Sequence, residues 1–118
     1  MIQSYKDLIV WQKSIELVTL IYNLTEGFPS KEIFGLTSQM RRAAVSIASN
    51  IAEGRCRGTR KDFTQFLRIA VGSCAELETQ ILIAKNLKFL RNSDNISALL
   101  EEIMKILNSM IKKLAANS

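Results

Sequence analysis

From Phe63 to Leu87 the apolar residues fall almost without a break at steps of three and four: Phe63, Phe66, Leu67, Ala70, Cys74, Leu77, Ile81, Ala84 and Leu87. Residues three or four apart share one side of an α-helix, whereas a half-buried strand needs strict alternation. A near-heptad stripe of this length leaves the chain little choice. It predicts a helix from about Arg60 to Leu90, some ~30 residues and ~45 Å long, and hence an elongated bundle. Gly72 and Ser73 set small residues at its middle.

Three further stretches carry the same period. The first runs from about Asp7 to Thr25 and stops at Gly27 and Pro29. It has two apolar sets, Leu8, Trp11, Ile15, Val18 and Tyr22, and then Val10, Leu17, Ile21 and Leu24. At ~100° per residue they cover more than half the circumference. A small monomeric bundle needs one buried side per helix, so the excess predicts burial against a second chain. The second helix is expected from Leu36 or Thr37 to Ala52 or Glu53, with Gly54 in the left-handed position after the last turn. The last is opened by Ser93 or Asp94 and is expected to bury Ile96, Leu99, Leu100, Ile103, Ile106, Leu107, Met110, Ile111 and Leu114. The connections at Phe28–Phe34, Arg55–Thr59 and Arg91–Asp94 are short, so neighbouring helices should be antiparallel. The expected fold is all-α: a single domain over residues 1–118, an antiparallel up-down-up-down four-helix bundle.

The residue inventory excludes much chemistry. There is no histidine, which removes Ser-His and Cys-His nucleophile pairs, the usual general base and most zinc sites. It also removes the Glu-x-x-His pairs of bundle-type di-iron centres. No Gly-rich phosphate cradle occurs, and two cysteines make neither a zinc ribbon nor a disulfide framework. Cys74 sits in the apolar stripe as a small core residue; Cys56 reads as an exposed thiol. No metal site, no cofactor and no catalytic residue is expected. A magnesium site built from carboxylates on separate helices would be the one enzymatic route left, since Glu76 and Glu78 point in different directions. There is neither a signal-peptide pattern nor an apolar run of membrane-spanning length, so a cytoplasmic protein without a membrane partner is expected.

Two polar features remain. The helix Gln39–Glu53 carries a ribbon of Arg42, Ser46, Ser49, Asn50 and Glu53 along otherwise small, apolar sides. Folding back at residues 55–59 brings Arg41 or Arg42 near Ser73–Glu76, and Glu53 near Arg57 or Arg60. Arg42, Ser46, Asn50, Glu53, Ser73 and Glu76 then read as a polar seam that fixes helix register. A site for phosphate or a partner is the competing reading. The second feature is charge. Arg41, Arg42, Arg55, Arg57, Arg60, Lys61 and Arg68 face only Glu53 and Asp62 in that stretch, seven cations against two carboxylates. This excess equals the net charge of the whole chain, +5. The cations of the exposed loop, Arg55, Arg57, Arg60 and Lys61, are the candidate nucleic-acid-binding residues, acting on phosphates. No aromatic residues interleave them, so base readout is not expected there.

Particular stretches also resemble a known family. They are Tyr5-Lys-Asp-Leu-Ile-Val-Trp-Gln-Lys13, Phe28-Pro-Ser-Lys-Glu32, Gly35-Leu-Thr-Ser-Gln-Met-Arg-Arg-Ala-Ala-Val-Ser-Ile47, Ser49-Asn-Ile-Ala-Glu-Gly54 and Phe66-Leu-Arg-Ile-Ala-Val-Gly-Ser-Cys-Ala-Glu-Leu-Glu-Thr-Gln80. In this order they resemble the four-helix-bundle proteins encoded in intervening sequences of bacterial 23S ribosomal RNA genes, the S23 ribosomal protein family. The family often has Pro where this chain has Ala48, which should straighten the second helix. The resemblance implies a homo-oligomer, typically a homopentameric ring, and no enzymatic reaction. It extends to the accessory proteins of diversity-generating retroelements, which work with a reverse transcriptase and its RNA. RNA or DNA binding is therefore the leading expectation. A protein–protein adaptor, such as an accessory subunit to a reverse transcriptase, is the alternative.

Overall fold

The structure is a computed structural model, and it describes residues 4–116. Four α-helices carry the fold: α1 (Ile9–Thr25), α2 (Leu36–Cys56), α3 (Arg60–Asn86) and α4 (Asp94–Ala116). Two 3₁₀ turns, Tyr5–Asp7 and Ser30–Glu32, precede α1 and α2; there is no strand among the described residues. Each helix packs on the next, and α4 closes the ring against α1. Arg41 of α2 reaches Tyr22 and Thr25 at the end of α1, while Tyr5 lies beside Ala52 at the opposite end of α2. Ser46 pairs with Ser73, and Leu114 of α4 lies beside Arg60 of α3. Neighbouring helices therefore run antiparallel, and the Cα positions span 46 × 20 × 19 Å.

The core follows the stripes. Leu17, Ile21, Met40, Ile47, Ile51, Leu67, Leu77, Leu100, Ile103 and Leu107 are fully buried. The two apolar sets of α1 separate. Val10, Leu17 and Ile21 enter the core and Leu24 is half-buried, whereas in the other set only Leu8, just before the helix, is buried, Trp11 and Val18 are half-buried and Ile15 and Tyr22 are exposed. The buried hydroxyls of Ser14 and Thr25 donate back to the carbonyls of Val10 and Ile21, at 2.7 and 2.8 Å. Cys74 has no solvent access, and burial, helped by the charge of Glu78, pushes its thiol up to about 12.

The helix ends depart from the sequence expectation for identifiable reasons. Before α1 the chain breaks at Leu8, and Ser4 and Asp7 form a capping box around the 3₁₀ turn. Gly54 does not end α2. It is buried inside the helix, and the left-handed residue is Gly58, at φ 85°. At Gly54 a Cβ would lie 2.6 Å from Phe66 Cβ, so glycine is there for close approach of α3. α3 ends at Asn86, short of Leu90. Lys88 takes φ 63°, Phe89 N–H donates to Ala84 O and Lys88 N–H to Lys85 O. That hydrogen-bond pair is a Schellman stop, and it turns the Phe89 ring onto Phe28 at 5.6 Å between centroids. Thr59 caps α3 by accepting from Asp62 N–H at 3.1 Å. Ser93 precedes α4, but its buried hydroxyl makes no hydrogen bond; Asn92 Oδ1 accepts from Asp94 N–H instead.

α2 and α3 are joined by more than apolar contact. Ser46 Oγ and Ser73 Oγ share a hydrogen bond of 2.9 Å across the interface. Asn50 Nδ2 donates to Ser46 O at 2.8 Å and to Ser46 Oγ at 3.0 Å. Side-chain hydrogen bonds of this kind contribute about 1 kcal/mol each when their partners are kept.

Two stability predictions result. Gly54→Ala should destabilise by about 1–3 kcal/mol through overpacking against Phe66. Gly72→Ala, where an added Cβ meets nothing within 4 Å, should stabilise by about 0.5–1 kcal/mol through helix propensity. Urea unfolding of the two variants separates contact from propensity. In the same assay, Ser46→Ala and Ser73→Ala should each cost about 1 kcal/mol. Their double variant should cost less than the sum by ~0.5 kcal/mol or more, because the second change removes a partner already orphaned.

Candidate nucleic-acid interface

The polar ribbon of α2 does not act as one unit. Ser46, Asn50 and Ser73 form the hydrogen-bonded cluster already described. Glu53 leaves it and turns to its own helix, where Glu53 Oε2 accepts from Arg57 Nη2 at 2.7 Å. Arg42 and Glu76 line one cavity of about 360 Å³ with Gln39, Ala43 and Ser46. They make no ion pair with each other; Glu76 Oε2 accepts from Gln80 Nε2 at 3.4 Å within α3. Arg41 points the other way. Its guanidinium lies 4.5 Å from the Tyr22 ring centroid and donates to Thr25 Oγ1 at 2.9 Å and to Tyr22 O at 3.4 Å. It thus serves the carbonyl end of α1, where a cation is favoured.

The loop cations occupy the end of the bundle where α2 stops and α3 starts. Arg55 is half-buried in the last turn of α2; Arg57, Arg60 and Lys61 are exposed. They are not equivalent. Arg57 is held by Glu53 and rests over the Phe66 ring at 4.9 Å from its centroid. The hydrogen bond that Arg57 donates to Glu53 raises the Arg57 pKa above its ordinary value. Arg60 and Lys61 open α3 and line a groove of about 450 Å³ with Arg68, Leu114 and Ala115. Arg68, two turns into α3, joins them in that groove, and Lys112 and Lys113 are exposed on the last turns of α4 at the same end, outside its lining. Lys6, in the turn before α1, lies at the same end. The end therefore gathers eight cationic side chains against the three carboxylates Asp7, Glu53 and Asp62, a surplus equal to the chain's whole +5. Sequence spacing alone could not place Lys6, Lys112 and Lys113 beside the loop; the antiparallel helix order does.

Among the described residues no group of three or more His, Cys, Asp or Glu is arranged to hold a metal ion. Nor is any described helix long and apolar enough to cross a membrane. What the end can do is attract and hold polyanions, since clustered guanidinium and ammonium groups bind phosphate oxygens through charge-assisted hydrogen bonds.

Comparison with known proteins agrees with the fold. No curated protein matches the chain. A crystal structure of a protein of unknown function from the S23 ribosomal protein family of Bacteroides thetaiotaomicron VPI-5482 superposes with a TM-score of 0.81. It shares 29% sequence identity, over 88% of this chain and 96% of that one. The family model described as 23S rRNA-intervening sequence protein matches residues 6–109. With the four helices, their order and this match over most of its length, the chain belongs to the 23S rRNA-intervening sequence protein family.

Proposed function

We propose that this protein is a non-enzymatic, cytoplasmic nucleic-acid-binding bundle that works as a homo-oligomer, with structured RNA as its ligand. The observation that carries the reading is the convergence of cations from four separate segments on one end of the bundle. Arg55, Arg60, Lys61 and Arg68 contact phosphates, and Glu53 competes for Arg57. Self-association is supported by α1. Trp11, Ile15 and Val18 line an open groove with Val45, Ala48 and Ala52, and Ile15 and Val45 stay 42% and 40% exposed. A second copy would cover this face, and a homopentameric ring is the assembly we propose. Copies of one basic end then bind by avidity.

A second reading is a protein adaptor, for instance an accessory subunit to a reverse transcriptase. It is favoured by the opposite end, where Phe34 is 93% exposed beside Ile33 at 46%. An unburied aromatic on a short connection suits an anchor for a protein partner.

RNA affinity against salt tests the first reading. For four phosphate contacts, affinity should fall roughly 50-fold or more between about 50 and 200 mM salt. Arg60→Glu/Lys61→Glu should abolish most binding without unfolding the protein, because acidic residues suit the first turn of a helix. Glu53→Gln should tighten binding a few-fold by releasing Arg57. A flat salt response, or unchanged binding in the double variant, overturns the reading. Light scattering after size exclusion tests the assembly: the expected mass is five times the 13.3 kDa chain, and Ile15→Lys should lower it. A species of one chain mass overturns the argument from α1.

A further inference from the structure

We propose that the basic end binds the backbone of a duplex in preference to a single strand, with Arg68, Lys112 and Lys113 as contact residues beside the loop. This inference rests on the phosphate-binding reading above and names its ligand class.

The first support is the placement of the aromatic rings. Holding a single strand takes a cationic track and rings on which unstacked bases can lie, worth about 1–3 kcal/mol per base. At the basic end the described aromatic residues are Tyr5, Trp11, Phe63 and Phe66, and none is exposed. Tyr5 packs edge-on against Trp11, with ring centroids 5.3 Å apart. Phe63 and Phe66 face the helical Gly54, and the Arg57 guanidinium covers Phe66. The exposed rings, Tyr22 and Phe34, belong to the other end of the bundle. A single strand bound here would keep its bases unstacked with nothing to offset the loss. A duplex keeps its stacking within itself and offers only phosphates.

The second support is the shape of the charge. The cations do not follow a line. They come from the end of α2, the start of α3, the end of α4 and the turn before α1, over a cross-section of 20 × 19 Å. A single strand presents one row of phosphates. A duplex presents two rows across a groove and one charge per ~1.7 Å of axis, twice the density of either strand. Cations at several corners engage both rows together. The floor between α3 and α4 is lined by Leu114 and Ala115, and among the described residues no carboxylate lines it. The Thr64 hydroxyl there is spent on Arg60 O at 2.9 Å. Gln65 also lines the groove with an exposed amide, but the cations outnumber it, so phosphates are the main contacts and binding depends only weakly on sequence.

The test is fluorescence anisotropy of the full chain with labelled probes about 16 nucleotides long, the span of a typical duplex-RNA module. The probes are double-stranded RNA, double-stranded DNA of the same sequence, a shuffled duplex, and one unstructured single strand. Both matched duplexes should bind about tenfold or more tighter than the single strand, and the shuffled duplex within about twofold of its parent. Lys112→Gln/Lys113→Gln should weaken duplex binding several-fold and reduce the log–log salt slope by about 1–2, a readout that a merely structural role would not move. Circular dichroism checks that this exposed pair leaves the helices intact. Equal or tighter binding of the single strand overturns the proposal and leaves phosphate binding standing. An unchanged salt slope in the lysine variant overturns the role of α4. Binding to none of the probes overturns phosphate binding itself, and this proposal with it.

Discussion

The close approach of α2 and α3 at Gly54 is the contact on which the rest of the bundle depends. Phe66 lies where a side chain at residue 54 would have to be. Mostly small residues continue along the pair, with Ala43 buried on α2 and Ala70, Ser73 and Cys74 buried on α3. Packing at this spacing tolerates no sliding, since a shift of one turn would set a Cβ against the Phe66 ring. The Ser46–Ser73 hydrogen bond adds a second register mark two turns along. With the pair locked, Gly58 at φ 85° closes the turn, and the directions of Arg57, Arg60 and Lys61 are set. α1 and α4 pack against this pair, and α4 delivers Lys112 and Lys113 to the same end.

Stability alone does not account for that charge. Cations near the carbonyl ends of α2 and α4 are favourable to the helix dipole, and Arg55, Lys112 and Lys113 fit that account. Arg60 and Lys61 do not. They occupy the first two positions of α3, where unsatisfied N–H groups already carry partial positive charge and each cation costs about 0.3–1 kcal/mol. Asp62 offsets part of this, and Thr59 satisfies one N–H. The arrangement is what a polyanion-binding surface requires: a field strong enough to act, anchored on rigid helix ends. Glu53 tempers it at one point, since Arg57 must leave a 2.7 Å ion pair before it can serve a phosphate.

Much of this was legible in the chain, and the exceptions share a cause. The four apolar stripes and the short connections are local signals, and the helices lie where they indicate. Gly54 defeats the local rule that reads a glycine near a helix end as its stop, because the reason for that glycine lies on α3. The end of α3 is likewise decided from outside: the apolar spacing runs on to Leu90, yet Phe89 turns away to meet Phe28. Arg41 and Arg42 are adjacent in sequence but lie ~100° apart around the helix, so one caps α1 and the other faces Glu76. The loop cations form a contiguous run and could be read directly. Their companions on α3, α4 and the first turn become neighbours only through the helix order.

The two ends of the molecule differ in a way that bears on assembly. One carries the cationic surplus; the other carries Phe34 and Ile33 with mixed charges. Like charges resist being brought together, so a ring that gathers several basic ends must be held by something stronger than their repulsion. Exposed apolar area on α1 is the available source, at about 25 cal/mol per Å² removed from water. In the proposed ring, the surface that would hold copies together and the one that would repel them lie on different parts of the bundle: the open groove between α1 and α2, and the helix ends. That separation lets assembly raise the field at the basic end without burying the cations that produce it. Each bound phosphate then relieves part of the repulsion, so nucleic-acid binding and self-association should strengthen one another as linked equilibria.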